Sequence, residues 1–167
     1  MDADRIADRI AIQELKARYF RFLDTKQWSA WRDLFTDDMV FYIEEAPVPT
    51  TTEPSTTSGD DFVEMVSTVL APSVTVHQGH MPEITFVDDR TAKGVWAMFD
   101  WVDNSSGSAD ATSMQGFGHY HETYRKDDDG RWQIAELRLT RLRVDHSTPT
   151  GAKPPEVSPW KRPVAAG

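Results

Sequence analysis

Two histidines lie in a short stretch whose residue types could carry acid–base chemistry. Residues 75–86 read TVHQGHMPEITF, with β-branched residues on both sides of a Gly, Met and Pro interruption. This pattern predicts one strand over 73–77 and a second over 83–87. Imidazole is the side chain whose ordinary pKa lets it take up and release a proton near neutral pH. His77, at the end of the first strand, is therefore the candidate general base.

An arginine and an aspartate on later strands form a second candidate pair. In the last predicted strand, 131–145, Arg141 shares a face with Leu137 and Leu139, which indicates that it points inward. An inward guanidinium needs a carboxylate or an anionic substrate group, because an unpaired buried charge is costly. Asp100, on the strand over 91–102, is the natural partner. A purely structural ion pair at the rim of the sheet explains this pattern equally well.

Two residues near the end of the first predicted helix, 4–23, could approach the same site. Tyr19 lies in the main apolar stripe, so its ring is expected to be buried with its hydroxyl in need of a partner. Read alone, it is also an ordinary core tyrosine. Asp24 lies about 140° from Tyr19 on the helical wheel, in line with Ala17. Helix geometry alone thus predicts a surface acid or a helix cap at Asp24.

The histidines also raise the question of a metal site. His119 and His121 are two apart on one predicted strand, and His80 follows His77, spacings that occur in metal sites. Strand parity turns Glu122 away from His119 and His121, so no closed ligand set is apparent, and we predict no metal. Residues 116–118 read GFG inside a strand without a following helix, which argues against a nucleotide loop.

The elements that must position these residues follow an α+β order. Helical periodicity covers 4–23, a short second helix is predicted around Trp28 to Phe35, and a strand over 39–45. A loop over 46–58 leads to a helix that Ser58 caps and Pro72 ends. Long alternating segments then occupy 91–102, 112–126 and 131–145, with a Ser- and Gly-rich loop over 104–110. This order predicts a strongly curved, mainly antiparallel sheet with helices closing its concave face.

Length and composition narrow the classes of protein. The 167 residues suit one domain over 1–146, followed by a proline-rich tail over 147–167 in which Trp160 could dock. A formal charge of −9 argues against a nucleic-acid or anionic-membrane surface. The chain has no cysteine, which excludes disulfides and thiolate chemistry. Without an apolar leader or an apolar run of membrane-spanning length, we expect a soluble cytoplasmic protein.

Several segments together resemble a known group of proteins. They read IQELKARYFRFLDTKQW, VHQGHMPEITF, RTAKGVWAMFDW and RWQIAELRLTRLR. Their order is similar to the SnoaL-like group of the nuclear transport factor 2-like superfamily, whose fold is a cone of curved sheet and helices. Within that group they most resemble the bacterial bile acid 7-alpha-dehydratases. On this resemblance the polar site residues fall on Tyr19, Asp24, His77, Asp100 and Arg141. Trp101 and the Thr- and Pro-rich loop depart from that pattern.

The resemblance implies a dehydratase that needs no metal or organic cofactor. His77 would move the proton, Asp24 would orient its ring, and Tyr19 would donate to the leaving hydroxyl or to a carbonyl. Asp100 and Arg141 would position the substrate or complete the proton network. The expected substrate is a small hydrophobic, steroid- or polyketide-like compound, and whether it carries a coenzyme A thioester is left open. An isomerase or cyclase that expels no water, and a non-catalytic ligand-binding protein, are the alternatives. The resemblance also implies a homotrimer or homodimer that packs through the outer face of the sheet.

Overall fold

The computed structural model describes residues 3–104 and 112–147, which form three helices and five strands. The helices are α1 (Ala3–Asp24), α2 (Trp28–Arg32) and α3 (Gly59–Leu70). The strands are β1 (Phe35–Glu44), β2 (Val74–Phe86), β3 (Thr91–Asp103), β4 (Ser113–Lys126) and β5 (Trp132–Ser147). All but the first residue of the predicted 104–110 loop, and the predicted tail with Trp160 beyond Ser147, lie outside the described residues.

Helix α1 buries one face and ends in a well-defined turn. Ile12, Leu15, Tyr19 and Leu23 are buried, as their spacing predicts. After Asp24, the amide of Gln27 donates to the Phe22 carbonyl (2.8 Å) and that of Lys26 to the Leu23 carbonyl (3.2 Å). These two bonds, with a φ of 60° at Lys26, define a Schellman motif. The chain therefore turns sharply just after Asp24.

The segment after α1 differs from its prediction at one boundary. The second helix covers only Trp28–Arg32, and Phe35 already begins strand β1. The amide of Ile134 on β5 donates to the carbonyl of Leu34 (2.9 Å), and Phe35 aligns with Ile134. Tertiary pairing with β5 thus overrides the helical spacing of Leu34 and Phe35.

Helix α3 begins where the sequence predicts. The Ser58 hydroxyl accepts a hydrogen bond from the Asp61 amide at 3.0 Å, which satisfies one free amide of the first turn. Asp60 and Asp61 lie at the positive end of the helix dipole. The helix ends at Leu70, before Pro72, and packs against β1 and α2. This places its apolar face over one end of the sheet.

The five strands form one curved sheet in the order β1-β5-β4-β3-β2. Only β1 and β5 pair in parallel, and the other three pairs are antiparallel. Helix α1 packs on β2 and β5. The predicted α+β class, with N-terminal helices on one face of an antiparallel-rich sheet, is confirmed.

Strand β2 is continuous where the sequence predicts two strands. Pairing with β3 runs on both sides of a register shift between His80 and Glu83. Met81 in that shift has a φ of 41°. Proline has no amide to donate to a sheet ladder, and a β-bulge removes that demand without ending the strand. The interruption around Pro82 is therefore a bulge, and the prediction of a break was wrong.

The core lies between the helices and the concave face of the sheet. Aromatic rings dominate it: Trp31, Phe35 and Phe62 pack with ring centroids 5.0–5.1 Å apart. Tyr124, Ile134 and Leu137 complete it from β4 and β5. This packed end leaves a cavity further along the same face of the sheet.

Candidate active site

An apolar cavity of about 270 Å³ opens on the concave face between the sheet, α1 and α3. Its walls are mostly aliphatic and aromatic, including Leu23, Phe62, Met65, Val66 and Leu139. The polar lining residues are Tyr19, His77, Asp100, Tyr120 and Arg141. A few polar groups in an otherwise apolar concavity are typical of a small-molecule site.

His77 is held by Asp24 through two contacts. Its ring Nδ1 lies 2.6 Å from Asp24 Oδ1, and its backbone amide donates to Asp24 Oδ2 (2.9 Å). The Thr75 hydroxyl donates to the same Oδ1 atom at 2.9 Å. Both side chains are largely withdrawn from solvent, with 7% of His77 and 22% of Asp24 exposed. The carboxylate thus fixes the orientation of the imidazole ring.

This contact determines which ring nitrogen is available for chemistry. An ionised carboxylate only accepts hydrogen bonds, so in the neutral ring Nδ1 carries the proton toward Asp24. Nε2 then has a free lone pair, and it hydrogen-bonds to no other residue that the structure describes. Because His77 lines the cavity, Nε2 is the atom that can accept a proton there.

Asp100 and Arg141 form a bidentate ion pair across the sheet. Arg141 Nη1 and Nη2 donate to Asp100 Oδ1 and Oδ2 at 2.8 and 2.7 Å. Asp100 is the direct cross-strand partner of His77 on one side and of Gly116 on the other. The guanidinium crosses the strand at Gly116, where a Cβ atom would collide with both side chains. The ion pair predicted from strand parity is present.

Two tyrosines face the cavity beside this pair. The rings of Tyr19 and Tyr120 lie 6.1 Å apart. Burial raises the pKa of both phenols well above the ordinary value, and Glu122, Asp100 and Asp24 raise it further. Neither hydroxyl hydrogen-bonds to another residue within 3–104 and 112–147. Both phenols are therefore protonated donors available to a ligand.

A buried lysine beneath the tyrosines was missed by the sequence analysis. Lys16 is fully buried and forms an ion pair with Glu122, which also accepts from Tyr124. Its Nζ lies 3.8 Å from the ring centroids of both Tyr19 and Tyr120. The signal was present, since Lys16 falls one position after Leu15 and three before Tyr19 on the buried stripe.

The structure brings all five predicted site residues together. Tyr19, His77, Asp100 and Arg141 line the cavity, and Asp24 holds His77 from behind. This corrects the surface position that helix geometry predicts for Asp24, because the turn after α1 directs its carboxylate toward β2.

The other histidines lie elsewhere. His80 is exposed, and His119 and His121 lie on the opposite face of β4 from Tyr120. His121 Nε2 lies 3.2 Å from the Thr140 hydroxyl oxygen, and burial lowers the pKa of His121, as do His119 and Arg138. Within the described ranges, no group of three or more His, Asp or Glu side chains could hold a metal ion.

Comparison with known proteins identifies one family. A family model described as a SnoaL-like domain matches residues 4–138. A protein of Gibberella zeae named "probable cyclase FGR4" is 28% identical over 135 residues, covering 78% of this chain and 89% of its own.

Solved structures share the fold at low sequence identity. A hexachlorocyclohexane dehydrochlorinase, LinA type 2, has a TM-score of 0.75 and 21% identity and covers 94% of this chain and 100% of its own. A protein from Novosphingobium aromaticivorans DSM 12444, described as a scytalone dehydratase, has a TM-score of 0.72 and 18% identity, with coverages of 92% and 100%. No helix among the described residues is both long and apolar enough to cross a membrane.

Proposed function

Because this chain belongs to the SnoaL-like domain family, we propose that it is a cofactor-independent dehydratase acting on a hydroxylated hydrophobic carbonyl compound. The observation that carries the proposal is the Asp24–His77 pair, whose free Nε2 faces an apolar cavity. The comparisons support the broader class of a small-molecule-converting enzyme, since the relatives' names describe a cyclase, a dehydrochlorinase and a scytalone dehydratase.

The proposed reaction needs one base that also serves as an acid. Nε2 of His77 removes a proton from the carbon next to the carbonyl, and that electron pair forms the new C=C bond. The neighbouring C–O bond breaks, and the imidazolium returns the proton to the departing oxygen, which leaves as water. Asp24 stabilises the imidazolium between these steps.

The phenols stabilise the charge that develops on oxygen. Tyr19 is buried with a raised phenol pKa, so it can donate a hydrogen bond without losing its proton. We assign it to the leaving hydroxyl or to the carbonyl, where a donor stabilises negative charge in a water-poor site. Asp100 and Arg141 neutralise each other's charge, and both line the cavity. We therefore assign them to positioning the substrate.

The cavity size favours a polyketide-like over a fully enclosed steroid-like substrate. An apolar cavity of about 150 Å³ accommodates one benzene ring. On that scale the present 270 Å³ accommodates about two fused six-membered rings. A four-ring compound, or the nucleotide part of a coenzyme A thioester, would extend outside. Arg141 is the one cation among the described lining residues and is already paired, which favours an uncharged reacting group.

A direct test uses a two-ring β-hydroxy ketone and follows product mass. His77→Gln is expected to lower kcat by roughly 10²–10⁴-fold because the proton acceptor is lost. His80→Gln, an exposed histidine on the same strand, is the matched control and should retain full activity. Unchanged kcat in His77→Gln, with normal folding by circular dichroism, contradicts the assignment.

Product mass also separates the alternatives. An isomerase or cyclase, favoured by the relative named as a cyclase, moves a proton and gives a product without loss of water. A non-catalytic binding protein gives no product in the wild type, while His77→Gln retains ligand affinity. Loss of 18 mass units in the wild type is the outcome expected for the dehydratase.

A further inference from the structure

We propose that Lys26 and Thr75 are positioning residues that set the proton affinity of His77 through Asp24. The kinetic test of this inference rests on the proposed function. The inference itself rests on the contacts that join Lys26, Thr75 and Asp24 to His77. Neither residue lines the cavity, so neither can act by touching substrate.

Hydrogen-bond donors and acceptors fix the direction of this chain of contacts. Lys26 Nζ donates to the Thr75 hydroxyl oxygen at 2.8 Å, and an ammonium group has no acceptor to offer in return. The single hydroxyl proton of Thr75 is therefore directed to Asp24 Oδ1, at 2.9 Å. The same oxygen also accepts a hydrogen bond from Nδ1 of His77. The chain runs from a cation through one hydroxyl to the carboxylate behind the base.

The backbone at Lys26 gives a second, independent reason for a role. Lys26 is the residue of the Schellman turn with a left-handed φ of 60°, a position where glycine is preferred because it has no Cβ. A lysine there adopts a less favourable backbone conformation than glycine would. Its ammonium group donates to Thr75, which is buried beside His77 on β2.

The sign of the effect follows from the charges around His77. The groups that face it are Asp24 and Tyr19 from α1, Asp100 from β3, Tyr120 from β4 and Arg141 from β5. Lys26 places a positive charge three hydrogen bonds behind the ring, through Thr75 and Asp24, and this charge disfavours the imidazolium form. Burial lowers the pKa of Lys26, and Asp24 opposes this shift. Removing the cation should therefore favour the imidazolium and make the neutral base scarcer at low pH.

Four variants in two matched pairs test the proposal. Thr75→Val removes the hydroxyl at nearly constant volume, whereas Thr75→Ser retains it. Lys26→Gly removes the ammonium and relieves the left-handed backbone, whereas Lys26→Arg retains the charge. Because glycine suits this turn, Lys26→Gly should fold with a Tm no lower than the wild type, so loss of function in it cannot come from unfolding.

The first readout needs no substrate. Nitrogen-15 NMR of the histidine rings, with His77 assigned through His77→Gln, reports the Nδ1 proton. Thr75→Val and Lys26→Gly should shift that signal, while Thr75→Ser and Lys26→Arg should match the wild type. An unchanged Nδ1 proton signal in both Thr75→Val and Lys26→Gly overturns the proposal whether or not the wild type is a dehydratase.

The second readout is the pH profile of kcat. In Thr75→Val and in Lys26→Gly, the acid limb of the profile should shift to higher pH by roughly half a unit. KM should change less than about twofold. An acid limb that does not move, in variants that turn over substrate, also overturns the proposal. If the wild type turns over no elimination substrate, the proposed function fails, and the NMR result alone decides the role of Lys26 and Thr75.

Discussion

At the scale of single residues, the absence of a side chain at Gly116 decides how the ion pair is built. Gly116 lies between Asp100 on β3 and Val144 on β5 in the sheet register. The Arg141 guanidinium passes over it to reach Asp100. The pair is largely withdrawn from bulk solvent, since only 10% of the Arg141 side chain and 4% of the Asp100 side chain is exposed.

Replacing Gly116 with alanine should therefore break the ion pair. The new Cβ would overlap atoms of both Arg141 and Asp100, leaving buried charges without their partners. We expect Gly116→Ala to lower the free energy of unfolding by about 3 kcal/mol, within the range for broken buried pairs. Urea unfolding measures this, with Gln115→Ala on the exposed neighbour as control. A loss below about 1 kcal/mol would show that the strand can yield at this position.

Asp24 shows how one residue's role depends on the turn that follows it. It is the last residue of α1, and the Schellman turn redirects the chain immediately afterward. Its carboxylate then accepts hydrogen bonds from the Thr75 hydroxyl, the His77 amide and Nδ1 of the His77 ring, all on β2. A carboxylate on the surface of the helix would not accept three hydrogen bonds from a strand.

At the scale of elements, a buried polar network joins α1 to the sheet. Lys16 on α1 is paired with Glu122 on β4, Tyr124 donates to Glu122, and Trp96 Nε1 donates to the Tyr124 hydroxyl (2.8 Å). Burial lowers the pKa of Lys16, and Glu122 opposes this shift. The network fixes the helix at the depth where Tyr19 reaches the cavity.

Removing one charged side chain of this network should cost more stability than neutralising both members of the ion pair together. Lys16→Met leaves Glu122 buried without its cation and should lower the free energy of unfolding by about 3–5 kcal/mol. The double variant Lys16→Met with Glu122→Gln should recover much of that loss, because a neutral amide still accepts from Tyr124. Urea unfolding of both variants, with exposed Lys93→Met as control, checks this. A single variant that unfolds like the wild type would contradict it.

The loop between β1 and α3 is attached to the sheet by one carboxylate. Glu44 at the end of β1 accepts from the Thr50 amide (2.5 Å) and hydroxyl (2.7 Å) and from the Thr51 amide (3.1 Å). Arg138 on β5 donates to its other oxygen at 2.5 Å. Burial raises the pKa of Glu44, but the donors from Thr50, Arg138 and Thr51 outweigh it and lower the pKa to about 2.

This lowered pKa predicts acid sensitivity of the fold. A carboxyl whose pKa is lower in the folded state stabilises the fold above its ordinary value, 4.5, and this contribution is lost as the pH falls toward about 2. Glu44→Gln should therefore lose stability less steeply than the wild type over this window. Urea unfolding from pH 5 to pH 2.5 measures the slopes, with exposed Glu45→Gln as control. Equal slopes for Glu44→Gln and the wild type would refute the prediction.

At the scale of the whole molecule, the curved sheet and α3 enclose a cavity that the core does not fill. Met65, Val66 and Leu70 of α3 form one wall, and Leu137 and Leu139 of β5 form another. The packed aromatic cluster closes the cavity at one end, and α3 borders its mouth, where Val69 is 64% exposed. The fold thus presents apolar walls to any ligand that reaches His77.

An unreactive two-ring ketone should therefore bind and stabilise the protein. At 100 times its Kd, a ligand of the native state adds about 2.7 kcal/mol, which corresponds to several degrees in Tm for a domain of this size. Val66→Trp should abolish the shift by filling the cavity, whereas Val87→Trp, at an exposed position, should not. Differential scanning fluorimetry measures the Tm. A shift that survives in Val66→Trp would place the ligand elsewhere.

Assembly through the outer face of the sheet stays a prediction. That face carries the partly buried rings of Phe99 and Phe117, with centroids 5.4 Å apart, and Val76, which is 38% exposed. Sedimentation of the wild type beside Phe99→Glu would test whether copies of the chain meet there.

Local sequence patterns were enough to predict the inward face of α1, the cap at Ser58, the pairing of Arg141 with Asp100, and the order of helices and strands apart from the break in β2. Each depends on a local period or a short spacing, which fixes the direction of a side chain within its own element. The family resemblance, not the spacing, selected Asp24.

The folded chain was needed to show the contact between Asp24 and His77, the continuity of β2 through its bulge, and the contacts of Lys16, Gly116, Lys26 and Thr75 around the site. These contacts join residues far apart in the chain. They depend on how the helix lies across the sheet and on the exact turn at its end, and local periodicity contains neither quantity.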